Sequence, residues 1–189
     1  LFWVERERDV YDPNLVARDL ERIERFYRAR GYYDVKVVAA RIRSVGERQV
    51  EVEVRVTPGP RVVVRKIKED PRVTLSAAWS EYTKVVKPAP GAPFQEASLD
   101  TLKAQILERL REAGYPYVKV QTRAKVDLNA RAADLEIEVD PGRRARLGAV
   151  RVVGLQQIPE HKVRALLSLR TGKQYTESDQ VEARRALED

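Results

Sequence analysis

The chain has 189 residues, of which 43% are hydrophobic and 34% charged, and 36 Lys and Arg against 29 Asp and Glu give a formal net charge of +7. Without cysteine it can form no disulfide, thiol nucleophile or thiolate metal site, and a single histidine, His161, cannot build a His-based metal cluster. The positive sign favours acidic partners, although the interspersed charges also suit a plain solvated surface.

The first predicted element is an amphipathic helix that begins at Asp12-Pro13 and ends before Gly31. Glycine suits this position because the residue after a helix often takes a positive φ, which glycine adopts without steric cost. Four hydrophobic positions, spaced for one face of a 3.6-residue helix, are Val16, Leu20, Ile23 and Tyr27.

An antiparallel hairpin is predicted next, with one strand over residues 34–43, a turn at 44–48 and a second strand that ends at Pro58-Gly59. The second strand alternates, which indicates one buried face, formed by Val50, Val52, Val54 and Val56. On the outward face, opposite charges oppose each other across the hairpin, with Lys36, Arg41 and Arg43 facing Glu51 and Glu53.

The middle of the chain starts a new unit. The short hydrophobic stretch 62–67 is its predicted opening strand, residues 75–86 are its expected first helix, and the proline-rich segment 88–93 is a loop before Phe94. A second helix is predicted from Ser98 to Gly114, with its hydrophobic face on Leu99, Leu102, Ile106, Leu110 and Ala113.

A second hairpin follows this helix. Its first strand alternates over residues 118–127, a turn spans 128–133, and its second strand ends at Pro141-Gly142. The inward residues of the second strand are Leu135, Ile137 and Val139. The outward charges expected to pair are Lys119, Arg123 and Lys125 with Glu136, Glu138 and Asp140.

The last part of the chain repeats the opening of a unit. Residues 147–154 are a further hydrophobic stretch, and helices are predicted over 159–168 and from 177 to the end. The first of these helices is expected to carry Val163, Leu166 and Leu167 on one side.

Two segments of the sequence are copies of each other. The segment Gly-Tyr-Tyr-Asp-Val-Lys-Val at residues 31–37 returns as Gly-Tyr-Pro-Tyr-Val-Lys-Val at residues 114–120, an offset of 83 residues. The same offset takes Pro58-Gly59 to Pro141-Gly142 and aligns the hydrophobic positions of the two helices. Shared spacing over such a length indicates two copies of one structural unit.

These features resemble tandem POTRA (polypeptide-transport-associated) domains of the BamA/TamA superfamily of outer-membrane assembly proteins. The resemblance rests on the helix end and strand at residues 28–37, on the strand that runs through Pro-Gly into the next opening strand at 52–67, and on residues 150–155, which are similar to the family's I-x-V-x-G-N start with Leu155 in place of Asn. A departure is Asp70-Pro71-Arg72, where the V-x-G signature of the central unit is expected.

The resemblance implies an α+β fold of tandem β-α-α-β-β units, each with a three-stranded mixed sheet backed by two helices. We expect a first unit at 1–60 without its opening strand, a complete central unit at 61–142 and a truncated third unit at 143–189. The resemblance also implies that the chain is a periplasmic arm attached to a C-terminal membrane barrel. The expected partners are unfolded outer-membrane polypeptides, and accessory lipoproteins or an inner-membrane partner.

In such a unit the third strand lies in the middle of the sheet, so the second strand is an open edge. An open edge binds an extended peptide by β-augmentation, although it can also be a plain solvated edge. The hypothetical peptide-binding residues are Val35, Lys36, Val37, Arg41, Tyr117, Val118, Lys119, Val120 and Arg123. The repeat residues expected to be structural are Gly31, Tyr32, Pro58, Gly59, Gly114, Tyr115, Pro141 and Gly142.

Other functions are less favoured by the sequence. It lacks the phosphate-binding, zinc-protease and nucleophile-elbow motifs, so no catalytic residue, metal site or cofactor is predicted. Nucleic-acid binding would suit the basic charge, but there is no G-x-x-G loop, and the strand at 50–56 has no aromatic residue. A further alternative has the same fold but another role. It is that of POTRA domains in a two-partner secretion transporter, a chloroplast import pore or a division scaffold.

Overall fold

The computed structural model describes residues 12–45, 50–154, 159–167 and 169–188, with the exception of the Ala40 side chain. None of the helices in these residues has the combined length and hydrophobicity that a membrane span requires. In chain order the elements are α1 (Pro13–Arg28), β1 (Lys36–Ser44), β2 (Val50–Thr57), β3 (Val63–Glu69), α2 (Pro71–Thr74), α3 (Trp79–Tyr82), α4 (Glu96–Glu112), β4 (Lys119–Asp127), β5 (Ala132–Asp140), α5 (Glu160–Leu166) and α6 (Glu177–Glu188).

The central sheet has the strand order β3-β5-β4. Strand β3 pairs in parallel with β5, and β4 pairs with it antiparallel, in an unbroken register from Lys119 opposite Asp140 to Asp127 opposite Ala132. This mixed sheet confirms the predicted three-stranded arrangement with the last strand of the unit in the middle.

The helical layer of the central unit is anchored by α4. Leu102, Ile106 and Leu110 lie on its buried face and pack against Ile137 and Val139 of β5. Burial of each such side chain contributes about 1.5–3 kcal/mol relative to exposure. The helix begins at Glu96, two residues before the predicted start, and the Ser98 hydroxyl donates to the Gln95 carbonyl inside the first turn.

The single helix predicted over residues 75–86 is wrong. Within that stretch only the four residues of α3 are helical, and the other one-turn helix, α2, precedes it. Asp70 caps α2 by accepting from the Arg72 backbone N–H, and the Ser76 hydroxyl accepts from the Ala78 N–H before α3. These polar side chains compete with a continuous helix for backbone groups, and Leu75, between the two turns, is 88% exposed.

The first unit contributes α1 and the hairpin β1–β2. The predicted helix start is confirmed, because the Asp12 carboxylate accepts from the Asn14 N–H and Pro13 is the first helical residue. The hairpin is antiparallel, and its register shifts between Ala39 and Arg41. Residues 1–11 and 46–49 lie outside the described part of the chain, so the absence of an opening strand stays a prediction.

The third unit differs from expectation at two places. Residues 147–154 form no strand, and Leu147 instead exchanges backbone hydrogen bonds with Gly172 and Lys173 in the loop before α6. A parallel opening strand needs a later strand as its partner, and the described residues after 143 contain none. Helix α5 buries Val163 but leaves Leu166 exposed, contrary to the predicted face. Leu155, the altered signature position, lies outside the described residues.

Candidate functional site

The repeat glycine Gly31 lies where the first unit meets the central one. Its carbonyl accepts from the Val62 N–H at 2.9 Å, and its φ is +89°. A Cβ at this position would lie 2.5 Å from the Phe94 carbonyl oxygen, a backbone atom that cannot easily move. Glycine is therefore required here both by conformation and by close approach.

The second repeat glycine, Gly114, occupies the same place one unit later. Its carbonyl accepts from the Ala145 N–H at 2.8 Å, its φ is +99°, and a Cβ would lie 2.9 Å from Nε2 of Gln174. An arginine guanidinium also bonds the preceding helix end at both junctions, Arg61 to the Arg30 carbonyl and Arg144 to the Ala113 carbonyl. The two repeat glycines thus make equivalent contacts at two junctions between successive units.

Three of the four tyrosines near these glycines pack against other residues of the chain. Tyr32 lies edge-to-face with Tyr27, the Tyr33 hydroxyl donates to Glu96 at 2.7 Å, and Tyr115 is buried. Tyr117 is the exception, because 75% of it is exposed just ahead of β4. The Pro58-Gly59 and Pro141-Gly142 pairs follow β2 and β5, and their glycines approach Asp34 and Tyr117 respectively.

Among the described residues no strand pairs with the outer side of β4, which makes β4 an open edge of the central sheet. Two hydrogen bonds show which backbone groups of the middle strand, β5, point towards β3 and away from β4. The Val139 N–H donates to the Asp70 carboxylate at 3.1 Å, and the Arg131 carbonyl accepts from the Val63 N–H at 3.1 Å. Both partners belong to the β3 side, so odd-numbered residues of β5 face β3 and even-numbered residues face β4.

The pairing register with β5 then determines the direction in which each backbone N–H and C=O group of β4 points. Even-numbered residues of β5 stand opposite odd-numbered residues of β4, such as Glu138 opposite Gln121. In an antiparallel pair these opposed residues exchange both hydrogen bonds, and the intervening residues point away. The N–H and C=O groups that face the open side belong to Val120, Thr122, Ala124 and Val126.

The side chains of β4 divide between two environments. Val118 and Val120 are each only 5% exposed, in contact with the core. Lys119 and Arg123 project into solvent on the opposite face, together with Gln121 and Lys125. Three predicted residues of this edge, Lys119, Val120 and Arg123, therefore lie on β4, and Tyr117 and Val118 immediately precede it.

The edge at β1 is less regular. Val35 is buried ahead of the strand, and Lys36 and Val37 stand opposite Thr57 and Val56. The register shift then precedes Arg41, which stands opposite Glu53. An irregularity of this kind bends a strand and interrupts its row of backbone groups. The structure brings the two predicted edges to different units and does not join them into one site.

The charge pairing predicted across β4–β5 is mostly wrong. Only Arg123 pairs with Glu138, at 2.8 Å. The other carboxylates of β5 bind cations of the β3 side: Asp134 accepts a bidentate bond from Arg65 and Glu136 accepts from Lys68, all at 2.8 Å, and Asp140 lies 3.8 Å from Arg72. The hairpin pattern alone does not reveal that cations of β3 and α2 compete for the same acids.

The structural role of Asp70 is not apparent from the sequence pattern. Its carboxylate is 8% exposed and accepts from the backbone N–H groups of Arg72 and Val139, at 2.8 and 3.1 Å. Its hydrogen bonds with the Arg72 guanidinium are the main reason that the pKa of this carboxyl lies below its usual value. The available signal was the Asp-Pro pair, which also begins α1.

Comparison with known proteins agrees with this architecture. The family model of POTRA, described as surface antigen variable number repeat, matches residues 4–59 and 80–142. The outer membrane protein assembly factor BamA of Neisseria meningitidis serogroup B is 20% identical over 163 residues, which are 86% of this chain and 20% of that protein. The chain therefore spans about a fifth of the length of this curated relative.

A solved structure shows the same fold. The crystal structure of POTRA domains 3 to 5 of Haemophilus influenzae BamA has 18% sequence identity and a TM-score of 0.56. The match covers 99% of this chain and 72% of that one.

Proposed function

The chain belongs to the POTRA family, and from this premise we propose that it is a periplasmic, non-enzymatic segment of an outer-membrane protein assembly factor. Its role in this proposal is to bind extended segments of unfolded outer-membrane polypeptides by β-augmentation. The parent protein would carry a C-terminal membrane barrel and would contact accessory lipoproteins or an inner-membrane partner.

The observation that supports this proposal best is the open edge of β4. The strand has nine residues in unbroken register with β5, and four of them point their backbone N–H and C=O groups away from the sheet. Backbone hydrogen bonds do not depend on side-chain identity, so such an edge accepts many sequences. This tolerance suits a protein that handles many unfolded clients.

We propose β4 as the main binding edge and β1 as a weaker one. The predicted peptide-binding residues lie on these two strands or just ahead of them, but the register shift in β1 interrupts its ladder. A regular edge offers an incoming strand more consecutive hydrogen bonds than a bulged edge does.

The test is titration of the ¹⁵N-labelled chain with a peptide that alternates apolar and polar residues, as barrel strands do. Ala124→Pro removes one outward N–H without removing a bond to β5, and its ring obstructs an added strand. Ala124→Val keeps the N–H and serves as the matched control. We expect the peptide to shift the β4 amides of the wild-type and Ala124→Val chains and to lose binding to Ala124→Pro.

Equal binding to Ala124→Pro and Ala124→Val would contradict β-augmentation at β4. So would peptide-induced shifts that centre on β5, whose two sides are already paired.

A further inference from the structure

The open edge of β4 carries positive charge that the sheet does not neutralise. Strand β5 presents four carboxylates on the solvent face, and three of them are bound to cations of the β3 side, as described above. The fourth, Glu138, pairs with Arg123. Among the described residues, Lys119 and Lys125 form no ion pair, and both are exposed.

The other groups on this face do not cancel the two lysines. Gln121 is uncharged and accepts a hydrogen bond from Arg123 at 3.0 Å. Asp127, at the end of the strand, lies 4.0 Å from the Arg65 guanidinium. On the exposed face of β4, Lys119 and Lys125 are therefore two positive charges six residues apart, and the charge of Arg123 between them is neutralised by Glu138. In an extended strand this spacing is about 20 Å.

We propose that β4 selects an extended segment that carries acidic side chains six residues apart on one face. This inference rests on the proposed β-augmentation, because a strand hydrogen-bonded to β4 places alternate side chains on the same face as Lys119 and Lys125. Its other side chains stand on the helical side, next to the half-buried Thr122 and Ala124. The preferred partner is thus apolar on one face and acidic at both ends of the other.

The charge pattern adds selectivity to a backbone interaction that has none. An acidic residue opposite either lysine gains an ion pair without breaking one, because no carboxylate of the described sheet competes for that lysine. A basic residue at the same place meets an uncompensated like charge. The two outer contacts also fix the register of the added strand, since a slip by two residues loses one of them.

The test uses three nine-residue peptides with blocked termini, valine at odd positions and threonine at the remaining even positions. The first has Glu at positions 2 and 8, the second has Lys at both, and the third has Glu at positions 4 and 6. Binding to the full chain is followed through the β4 amides. We expect the first peptide to bind about three- to tenfold more tightly than the third, which has the same net charge, and the second to bind most weakly.

Charge reversal of the edge gives the converse result. In Lys119→Glu/Lys125→Glu the second peptide should become the tightest. The matched variant Lys103→Glu/Lys162→Glu changes the net charge equally, at exposed positions on α4 and α5, and should keep the wild-type order.

The two proposals fail in different ways. If all three peptides shift the β4 amides with equal affinity, or if the Lys103→Glu/Lys162→Glu variant also inverts the order, the charge selection is overturned and β-augmentation stands. If no peptide shifts these amides, both proposals fall.

Discussion

The hairpins β1–β2 and β4–β5 come from the two copies of the repeat, yet they present different edges. Strand β4 pairs with β5 in unbroken register. One face of β5 is fully buried and consists of Leu135, Ile137 and Val139. In the first copy the register shifts near Ala39, and the corresponding face is only half-buried, with Val50 42% exposed and Val54 39% exposed. The same sequence pattern therefore forms a regular hairpin with a buried face in the central unit and an irregular, partly exposed hairpin in the first unit.

The difference follows from what backs each hairpin. In the central unit β3 pairs with the far side of β5, and α4 covers the buried face. Within the described residues the first sheet has two strands, and no residue of α1 is fully buried. Two-stranded sheets are marginal without further packing. A regular edge strand thus depends on β3 and α4 as much as on β4 itself.

The largest difference between the copies should lie in their cores. Ile137→Ala removes side-chain atoms from a site that is 1% exposed and should lower the free energy of unfolding by about 2–5 kcal/mol. Val54→Ala, on the corresponding strand of the first hairpin, should cost less than about 1 kcal/mol. Urea denaturation followed by residue-specific NMR measures both, and equal losses would show that the two hairpins are packed alike.

The two Asp-Pro helix starts should also differ in their contribution to stability. Asp70→Ala removes the cap of α2 and leaves the buried Val139 N–H without its partner, so it should cost about 2–4 kcal/mol. Asp12→Ala removes only an exposed cap of α1 and should cost about 1 kcal/mol. Similar losses at both positions would argue against the bond between Asp70 and β5.

The Asp70 carboxylate also predicts a dependence on pH. Its pKa is lowered in the folded chain, chiefly by the Arg72 guanidinium. The stabilisation it provides is therefore fully present above the unfolded pKa of about 3.9 and is lost as the pH falls through the lower folded value. The stability difference between the wild-type chain and Asp70→Asn should shrink over that acidic range, and a constant difference would contradict the assignment.

The repeated junctions should differ by a smaller amount. Alanine at Gly31 or Gly114 is strained by the positive φ, at a cost of about 1–3 kcal/mol. Gly31→Ala should be the more destabilising, because its Cβ meets the Phe94 backbone, whereas Gly114→Ala meets the flexible Gln174 side chain. Thermal unfolding measures the order of the two, and Gln174→Ala should bring part of the Gly114→Ala stability back. The reverse order would contradict the described junctions.

The sequence predicted the features that depend on local pattern and repetition. The alternation along β4, the helical spacing of Leu102, Ile106 and Leu110, and the positive φ of both repeat glycines are all confirmed. Each is a property of a few neighbouring residues, so periodicity is enough to reveal it. The order of the sheet followed from the family resemblance and is also confirmed.

What the sequence did not predict depends on contacts between distant residues. The acids of β5 pair with Arg65 and Lys68, which lie nearly 70 residues earlier in the chain. Asp70 reaches Val139 across a similar separation. The break between α2 and α3 depends on whether the Ser76 hydroxyl, which accepts from the Ala78 N–H, outweighs a weak helical pattern, and local spacing does not decide that competition.

The most direct test of the open β4 edge is amide hydrogen exchange along that strand. The free chain should show alternation, with the outward amides of Val120, Thr122, Ala124 and Val126 exchanging faster than those of Gln121, Arg123 and Lys125, which bond β5. Addition of the alternating peptide should slow the outward set alone. Uniform protection of both sets in the free chain would show that the edge is already covered and would contradict the account.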